Sequence, residues 1–76
     1  MDNRIVIDPN ICHGKPVIRG TRVLVSNILS ALASGETIEQ VLDDFPNITK
    51  EDIYAALALG SELTKFEHTP YDIMAS

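Results

Sequence analysis

The stretch CHGKPVIRGTRVLV, residues 12–25, contains two short apolar runs, and four residues separate them. The runs are residues 16–18 and 23–25, and residues 19–22 between them have the length and the glycine of a hairpin connection. An isolated hairpin is only marginally stable in water, so this one must pack on the rest of the chain or on a second copy. We therefore predict a small β-element near the N-terminus.

Upstream of this stretch, residues 5–7 read IVI, and β-branched residues favour strands. Asp8, Pro9 and Asn10 follow, and these residue types favour a turn. The sequence thus predicts one more strand, which gives the β-element two or three strands.

The rest of the chain has the pattern of three helices. Ser26 is a suitable N-cap for the first, over residues 27–34, and Gly35 would end it. The second begins after Thr37 and runs to about Phe45. Its apolar residues recur at the spacing of a single buried helical face. They are Ile38, Val41, Leu42 and Phe45.

Capping patterns support the second and third helices. Gln40 lies three residues after Thr37, and Asp52 lies three residues after Thr49, so each pair has the spacing of a capping box. The third helix therefore begins after Thr49. We predict that its core face consists of Ile53, Ala56, Leu57, Gly60 and Leu63. The third helix has more apolar residues than one buried face requires, and the additional ones form a candidate contact surface. They are Tyr54, Ala58 and Leu59.

These elements make one domain, mainly α with a small N-terminal β-element. Residues 1–25 form the β-element and cationic turn, residues 26–65 the three-helix bundle, and residues 66–76 a C-terminal tail without core periodicity. A domain of 76 residues buries only about 60% of the surface that its unfolded chain exposes. Cys12 is the single cysteine and has no disulfide partner within the chain. We therefore expect a homodimer or an obligate partner to supply stability.

Charge divides the chain into two parts. Residues 1–22 hold four of the six Lys and Arg residues and have a net charge of +2, whereas residues 23–76 have a net charge of −7. The four cations are Arg4, Lys15, Arg19 and Arg22. Because binding to nucleic acid requires cations that displace counterions from phosphates, any such binding must be local to these four side chains.

No apolar run approaches the roughly 20 residues that cross a bilayer, and no signal peptide is recognisable. We expect a cytoplasmic protein with no membrane partner. A lone thiol also suits a reducing compartment.

The sequence lacks the residue patterns of an enzyme. Pro16 follows Gly14-Lys15 where a phosphate-binding loop needs Ser or Thr, and Cys12-His13 are adjacent residues with no further ligands nearby. No Ser, His and Asp set is arranged for nucleophilic catalysis. We predict no catalytic residue, no metal, no cofactor and no small-molecule substrate.

Two segments carry a family resemblance, GKPVIRGTRV and SGETIEQVLDDFPNITKEDIYAALALG. In that order they resemble the family of domain of unknown function 433, over residues 5–63. The resemblance implies a small β-element followed by a homeodomain-like three-helix bundle, often dimeric, with a helix-turn-helix-like pair. It also implies the antitoxin of a type II toxin–antitoxin system, with a PIN-type RNase as the usual partner. The chain departs from the family at Cys12 and His13, where glycine is more common.

DNA binding through the helix-turn-helix-like pair is disfavoured, because the pair is acidic at the positions that would face phosphates. The N-terminal cations are the better candidates. Two copies would place eight such side chains on a β-ribbon, whereas the alternatives are solvated charge or inter-subunit pairing with the acidic helices.

The acidic helices also have two interpretations. Charge alone favours a solvated surface, whereas the family resemblance favours a surface that complements the positive groove of an RNase. Large apolar side chains in and near the tail are candidate anchors for that partner. The candidate partner-binding residues are Tyr54, Leu59, Leu63, Phe66, Tyr71, Ile73 and Met74.

We therefore predict an antitoxin-like protein that neutralises a PIN-like RNase by direct binding and represses its own operon. The alternative is a stand-alone dimeric DNA-binding transcriptional regulator. The sequence does not identify the toxin, the operator DNA or the stoichiometry.

Overall fold

A computed structural model describes residues 3–63. Its elements are β1 (Ile5–Val6), a short 3₁₀ turn (Cys12–Gly14), β2 (Val17–Ile18), α1 (Val25–Ala33), α2 (Ile38–Asp44) and α3 (Lys50–Leu63). β1 and β2 form a two-stranded antiparallel sheet, with Ile5 opposite Ile18 and Val6 opposite Val17. The prediction of a mainly α fold with a small N-terminal β-element is confirmed.

The hairpin predicted between residues 16–18 and 23–25 is present only in part. The chain turns back after β2, and the Ile18 N–H donates to the Val23 carbonyl at 3.0 Å. A single bridge joins Val17 to Leu24, and the chain then enters α1 instead of continuing as a strand. The regular partner of β2 is β1.

α1 begins at Val25, two residues earlier than predicted. Its N-cap is Leu24, whose side chain cannot cap, and Ser26 lies inside the helix. The Val25 N–H instead donates to the Pro16 carbonyl at 3.0 Å, so the loop before β2 takes the place of a side-chain cap. Gly35 ends the helix as predicted, with φ of 100° and a pair of hydrogen bonds typical of a Schellman motif.

Both predicted capping boxes are present. Thr37 accepts from the Gln40 N–H at 3.1 Å, and Gln40 Oε1 accepts from the Thr37 N–H at 2.8 Å. The Thr49 N–H donates to Asp52 Oδ2 at 2.9 Å, and the Asp52 N–H donates to Thr49 Oγ1 at 3.3 Å. These reciprocal bonds fix where α2 and α3 begin.

One core joins the sheet to all three helices. Ile18, Ile28, Val41 and Ile53 are fully buried at its centre, and Ile5 brings β1 into the same cluster. α1 contacts both α2 and α3, and α3 also contacts β1. The core thereby fixes the N-terminal β-element against the third helix.

The predicted core face of α3 is partly wrong. Leu57 is 42% exposed and Leu63 is 64% exposed, whereas Ala55 is buried and Leu59 packs against the core. The buried face is therefore rotated away from Leu57, and it includes Asp52, which is 7% exposed. Gly60 allows α1 to come close, since a Cβ there would lie 3.2 Å from Leu29 Cδ1.

Candidate interaction surfaces

Antiparallel pairing of β1 and β2 places two of the predicted cations side by side. The Arg19 N–H donates to the Arg4 carbonyl at 2.8 Å. The two arginines line one shallow surface depression together with Asn3 and Asp52. The sheet thus brings Arg4 and Arg19 together, although they are far apart in sequence.

Arg4 also joins the sheet to α3. Its Nη1 donates to Asp52 Oδ1 at 3.1 Å. The same carboxylate accepts a hydrogen bond from the Thr49 N–H in the capping box of α3. The Arg4 side chain is 43% exposed and that of Asp52 only 11%. Arg4 therefore has a structural contact within the chain, in addition to the binding roles predicted for it. The capping-box spacing identified Asp52, but no local pattern indicated its distant arginine.

The chain makes a tight turn between Arg19 and Arg22. The Thr21 N–H donates to the Ile18 carbonyl at 3.0 Å, and Gly20 has φ of 78°, the pattern of a type II turn. Thr21 Oγ1 donates to the Ile18 carbonyl at 2.7 Å and accepts from the Val23 N–H at 3.0 Å. These bonds fix the turn between Arg19 and Arg22.

The exposed cations differ in their surroundings. Arg19 Nε donates to the Asn3 carbonyl. Arg22 lines a second depression with Ile11, Gly20 and Thr21. Lys15 is exposed too, and follows the 3₁₀ turn, outside both depressions. The structure therefore gathers Arg4 and Arg19, sets Arg22 across the turn and leaves Lys15 in a neighbouring loop.

Apolar side chains are exposed on the side of α3 that faces away from the core. Tyr54 is 51% exposed and Leu57 is 42% exposed, and Ala58 and Ser61 are exposed beside them. We call these four residues the outer face of α3. Leu59, predicted to bind a partner, is partly buried and packs against the core.

The other predicted anchors lie at or after the end of α3. Leu63 is the last residue of α3, on the side of the helix that carries Leu59. Phe66, Tyr71, Ile73 and Met74 lie outside the described residues.

Four carboxylates lie on α2 and the loop before it. They are Glu36, Glu39, Asp43 and Asp44, and we call them the acidic surface of α2. Partial burial raises the pKa of Glu36, and the Asp44 carboxyl raises it further by hydrogen bonding and by charge repulsion.

The turn at Cys12 and His13 has an uncommon backbone. Cys12 has φ of 50° and His13 has φ of 58°, and Gly14 follows with φ of 79°. The Cys12 thiol lies 3.9 Å from the Arg22 carbonyl, a weak contact. Among residues 3–63, no group of three or more His, Cys, Asp or Glu side chains is placed to hold a metal ion.

The described helices are too short, or not apolar enough, to cross a bilayer.

Residues 5–59 match the family described as "Protein of unknown function (DUF433)". A crystal structure of a member of that family from Anabaena variabilis superposes with a TM-score of 0.75. That match is 29% identical in sequence, and it covers 95% of this chain and 69% of the other.

Two curated relatives are also similar. "Uncharacterized protein y4eO" of Sinorhizobium fredii is 36% identical over 52 residues, which is 68% of this chain and 24% of that protein. "Putative antitoxin VapB45" of Mycobacterium tuberculosis is 36% identical over 56 residues, which is 74% of this chain and 23% of that protein. The chain thus spans about a quarter of the length of these relatives.

Proposed function

The chain belongs to the DUF433 family, and from that premise we propose that it is an antitoxin-like protein that neutralises a PIN-like RNase by direct binding. The similarity to a relative named as an antitoxin is the observation that carries this proposal. In this function the chain occludes the RNase stoichiometrically and performs no catalysis.

The charge distribution supports an RNase as the partner. An enzyme that binds RNA has a positive groove, because its substrate is a polyanion. Residues 23–76 have a net charge of −7, and the acidic surface of α2 contributes four of the carboxylates. A body of this charge complements such a groove and accelerates association with it.

Exposed apolar side chains would add to the affinity that electrostatic attraction provides. Large buried side chains, aromatic ones above all, dominate binding energy at protein interfaces. Tyr54 and Leu63 are more than half exposed. Leu57 replaces Leu59 in the contact set that we propose, because Leu59 packs against the core. The tail residues Phe66, Tyr71, Ile73 and Met74 enter this set on sequence grounds alone.

We also propose a cytoplasmic homodimer as the free form. A single domain of this size has a small core, and association would add buried apolar surface. The lone Cys12 suits the reducing conditions of the cytoplasm.

Co-expression tests the antitoxin proposal. The chain is expressed with the PIN-domain RNase whose gene lies beside its own, and growth and co-purification are measured. We expect growth to be restored and both proteins to elute as one complex. Separate elution with persistent toxicity would refute the proposal.

A stand-alone DNA-binding regulator is the second candidate, and the turn between Arg19 and Arg22 favours it. The turn is fixed by three hydrogen bonds, and both arginines are exposed. Two copies of such a turn could contact phosphates on either side of a groove. Arg4 would contribute less, since it is paired with Asp52.

The test measures binding to the upstream DNA of its own gene at several salt concentrations. For the Arg19→Ala, Arg22→Ala double variant we expect weaker binding and a shallower salt dependence, because fewer counterions are released. Lys50→Ala is the control, since Lys50 is an exposed cation on α3. Equal binding by the wild type and the double variant would exclude the turn as the DNA contact.

A further inference from the structure

We infer that the free edge of β1, the edge that faces away from β2, pairs with the same edge of a second copy. The two small sheets would then join into one antiparallel sheet across a two-fold axis. This inference rests on the homodimer in the proposed function and names the element that each copy contributes.

The hydrogen bonds of β2 show which way the backbone of β1 points. The Ile18 N–H lies opposite Ile5 but donates away from β1, to the Val23 carbonyl at 3.0 Å. Ile5 and Ile18 are therefore a pair that exchanges no hydrogen bond. Because the direction of the backbone groups alternates along an extended chain, Val6 directs its N–H and C=O at β2. Ile5 and Ile7 direct theirs at the free edge.

The backbone groups at the free edge have no partner in the described part of the chain. No hydrogen bond within residues 3–63 involves the N–H or C=O of Ile5 or Ile7. Ile5 is only 6% exposed, so water has little access to its backbone. A buried backbone group without a partner costs free energy comparable to a lost hydrogen bond. An added strand would supply the missing partners.

The sequence of β1 is complementary to itself at this edge. Antiparallel pairing centred on Val6 places Ile5 opposite Ile7 of the second copy, so that each such pair exchanges both of its hydrogen bonds. The contact is the same in both directions, as a two-fold axis requires. Pro9 comes next in this register, and the pairing would end there because proline has no N–H.

The same register covers an exposed apolar side chain. Ile7 is 57% exposed, and its side chain lies on the same face of the strand as that of Ile5, which is part of the core. Cross-strand neighbours on one face contact each other, so Ile7 of each copy would extend the core of the other. Arg4 would lie opposite Asp8 of the second copy, and like charges therefore do not oppose each other.

Sedimentation equilibrium of the full chain measures the dissociation constant of the dimer. Ile7→Pro removes an N–H that only the dimer would use, and an edge strand tolerates proline. We expect this variant to dimerise at least about tenfold more weakly. Tyr54→Ala is the control, since Tyr54 is 51% exposed but lies on α3. It should dimerise within about twofold of the wild type. Circular dichroism establishes that each variant is folded.

Disulfide cross-linking in a Cys12→Ser background tests the register itself. Val6→Cys would place two thiols at the two-fold axis, in a pair whose Cα atoms are about 4.5 Å apart, within the range of a disulfide. We expect oxidation to link this variant into dimers. Ile7→Cys is the control, because position 7 is well exposed. Its two copies would be diagonal neighbours about 7–8 Å apart, too far to link.

The outcomes separate this inference from the homodimer itself. If the wild type is a dimer and folded Ile7→Pro dimerises equally well, the inference is wrong and the homodimer stands. Cross-linking through Ile7→Cys and not through Val6→Cys would also contradict the register. If Tyr54→Ala alone dissociates the dimer, the interface lies on α3 and the inference is likewise wrong. If the wild type is monomeric at every concentration, the proposed homodimer fails too, and co-expression tests the antitoxin proposal independently.

Discussion

His13 has φ of 58° and ψ of 32°, in the left-handed region that side chains with a Cβ disfavour. That conformation costs about 1–2 kcal/mol, whereas a glycine would lose about 0.5–1 kcal/mol more chain entropy on folding. We therefore expect His13→Gly to raise the free energy of unfolding by about 0.5–1 kcal/mol. Thermal melts should show the midpoint rising by about 2–8 °C.

Gly20→Ala is the matched control for this prediction. Gly20 has φ of 78°, and a Cβ there would meet no atom within 4 Å, so its effect reports backbone strain alone. We expect a loss of stability of about 0.5–1 kcal/mol. A shift of both variants in the same direction would contradict the strain argument.

The second residue-scale prediction concerns the Glu36 carboxyl. Partial burial and the neighbouring Asp44 raise its pKa above the ordinary value. The folded state therefore binds more protons than the unfolded state between the two pKa values, and stability falls as pH rises through that interval. Gln at this position cannot ionise. We expect Glu36→Gln to be more stable than the wild type at neutral pH, with the difference disappearing on acidification.

Melting temperatures across pH 3 to 8 would check this prediction. Glu39→Gln is the control, because Glu39 lies in the first turn of α2, where a carboxylate interacts favourably with the helix dipole. It should give no gain at neutral pH. A gain of the same size at both positions would mean that net charge, and not the Asp44 contact, is responsible.

At the scale of elements, one ion pair connects β1 to α3. Asp52 accepts hydrogen bonds from Arg4 and from the Thr49 N–H. Asp52→Ala removes both contacts and should cost about 2 kcal/mol of unfolding free energy. Arg4→Met keeps the cap and should cost about 1 kcal/mol or less, because the Arg4 side chain is 43% exposed. Urea denaturation measures both values.

A double-mutant cycle tests whether the two residues act together. In the Asp52→Ala background, Arg4→Met should cost less than it does in the wild type, because the ion pair is already absent. Strictly additive losses would show that the contact between Arg4 and Asp52 contributes no stability of its own.

Elements that local interactions define could be predicted from the sequence, whereas features that depend on contacts between distant residues could not. α2 and α3 begin where the sequence indicates, because each capping box is a local pattern of four residues. α1 begins two residues early because the Pro16 carbonyl, nine residues before Val25, accepts the first N–H. The β1–β2 register likewise depends on contacts between distant residues.

The buried face of α3 shows the same limit. Hydrophobicity alone predicted Leu57 in the core, but the buried face of α3 includes Asp52, and Leu57 is left 42% exposed. Sequence reasoning could identify a surplus of apolar residues on α3. It could not decide between Leu57 and Leu59 for the exposed position, since that choice depends on how α3 packs against the rest of the core.

At the scale of the whole molecule, charge is unevenly distributed. The exposed cations Lys15, Arg19 and Arg22 belong to the β-element and its loops, and the acidic surface lies on α2. This division could be predicted because it follows from the positions of the charged residues along the chain. The ion pair between Arg4 and Asp52 could not be predicted. It leaves a cationic surface of three exposed side chains and one paired arginine.

The final prediction concerns how this charge affects association with the RNase. Raising salt from about 0.01 M to about 1 M shortens the Debye length from about 30 Å to about 3 Å. If the acidic body steers association, the association rate constant should fall at least about tenfold over this range.

Glu39→Lys should lower the association rate constant at low salt, and Arg22→Gln should raise it, because they change the net charge in opposite directions. Leu57 belongs to the proposed contact set, so Leu57→Glu should weaken binding through faster dissociation and not through slower association. Stopped-flow mixing measures both rates, and an association rate that is independent of salt would mean that the acidic surface has no part in steering.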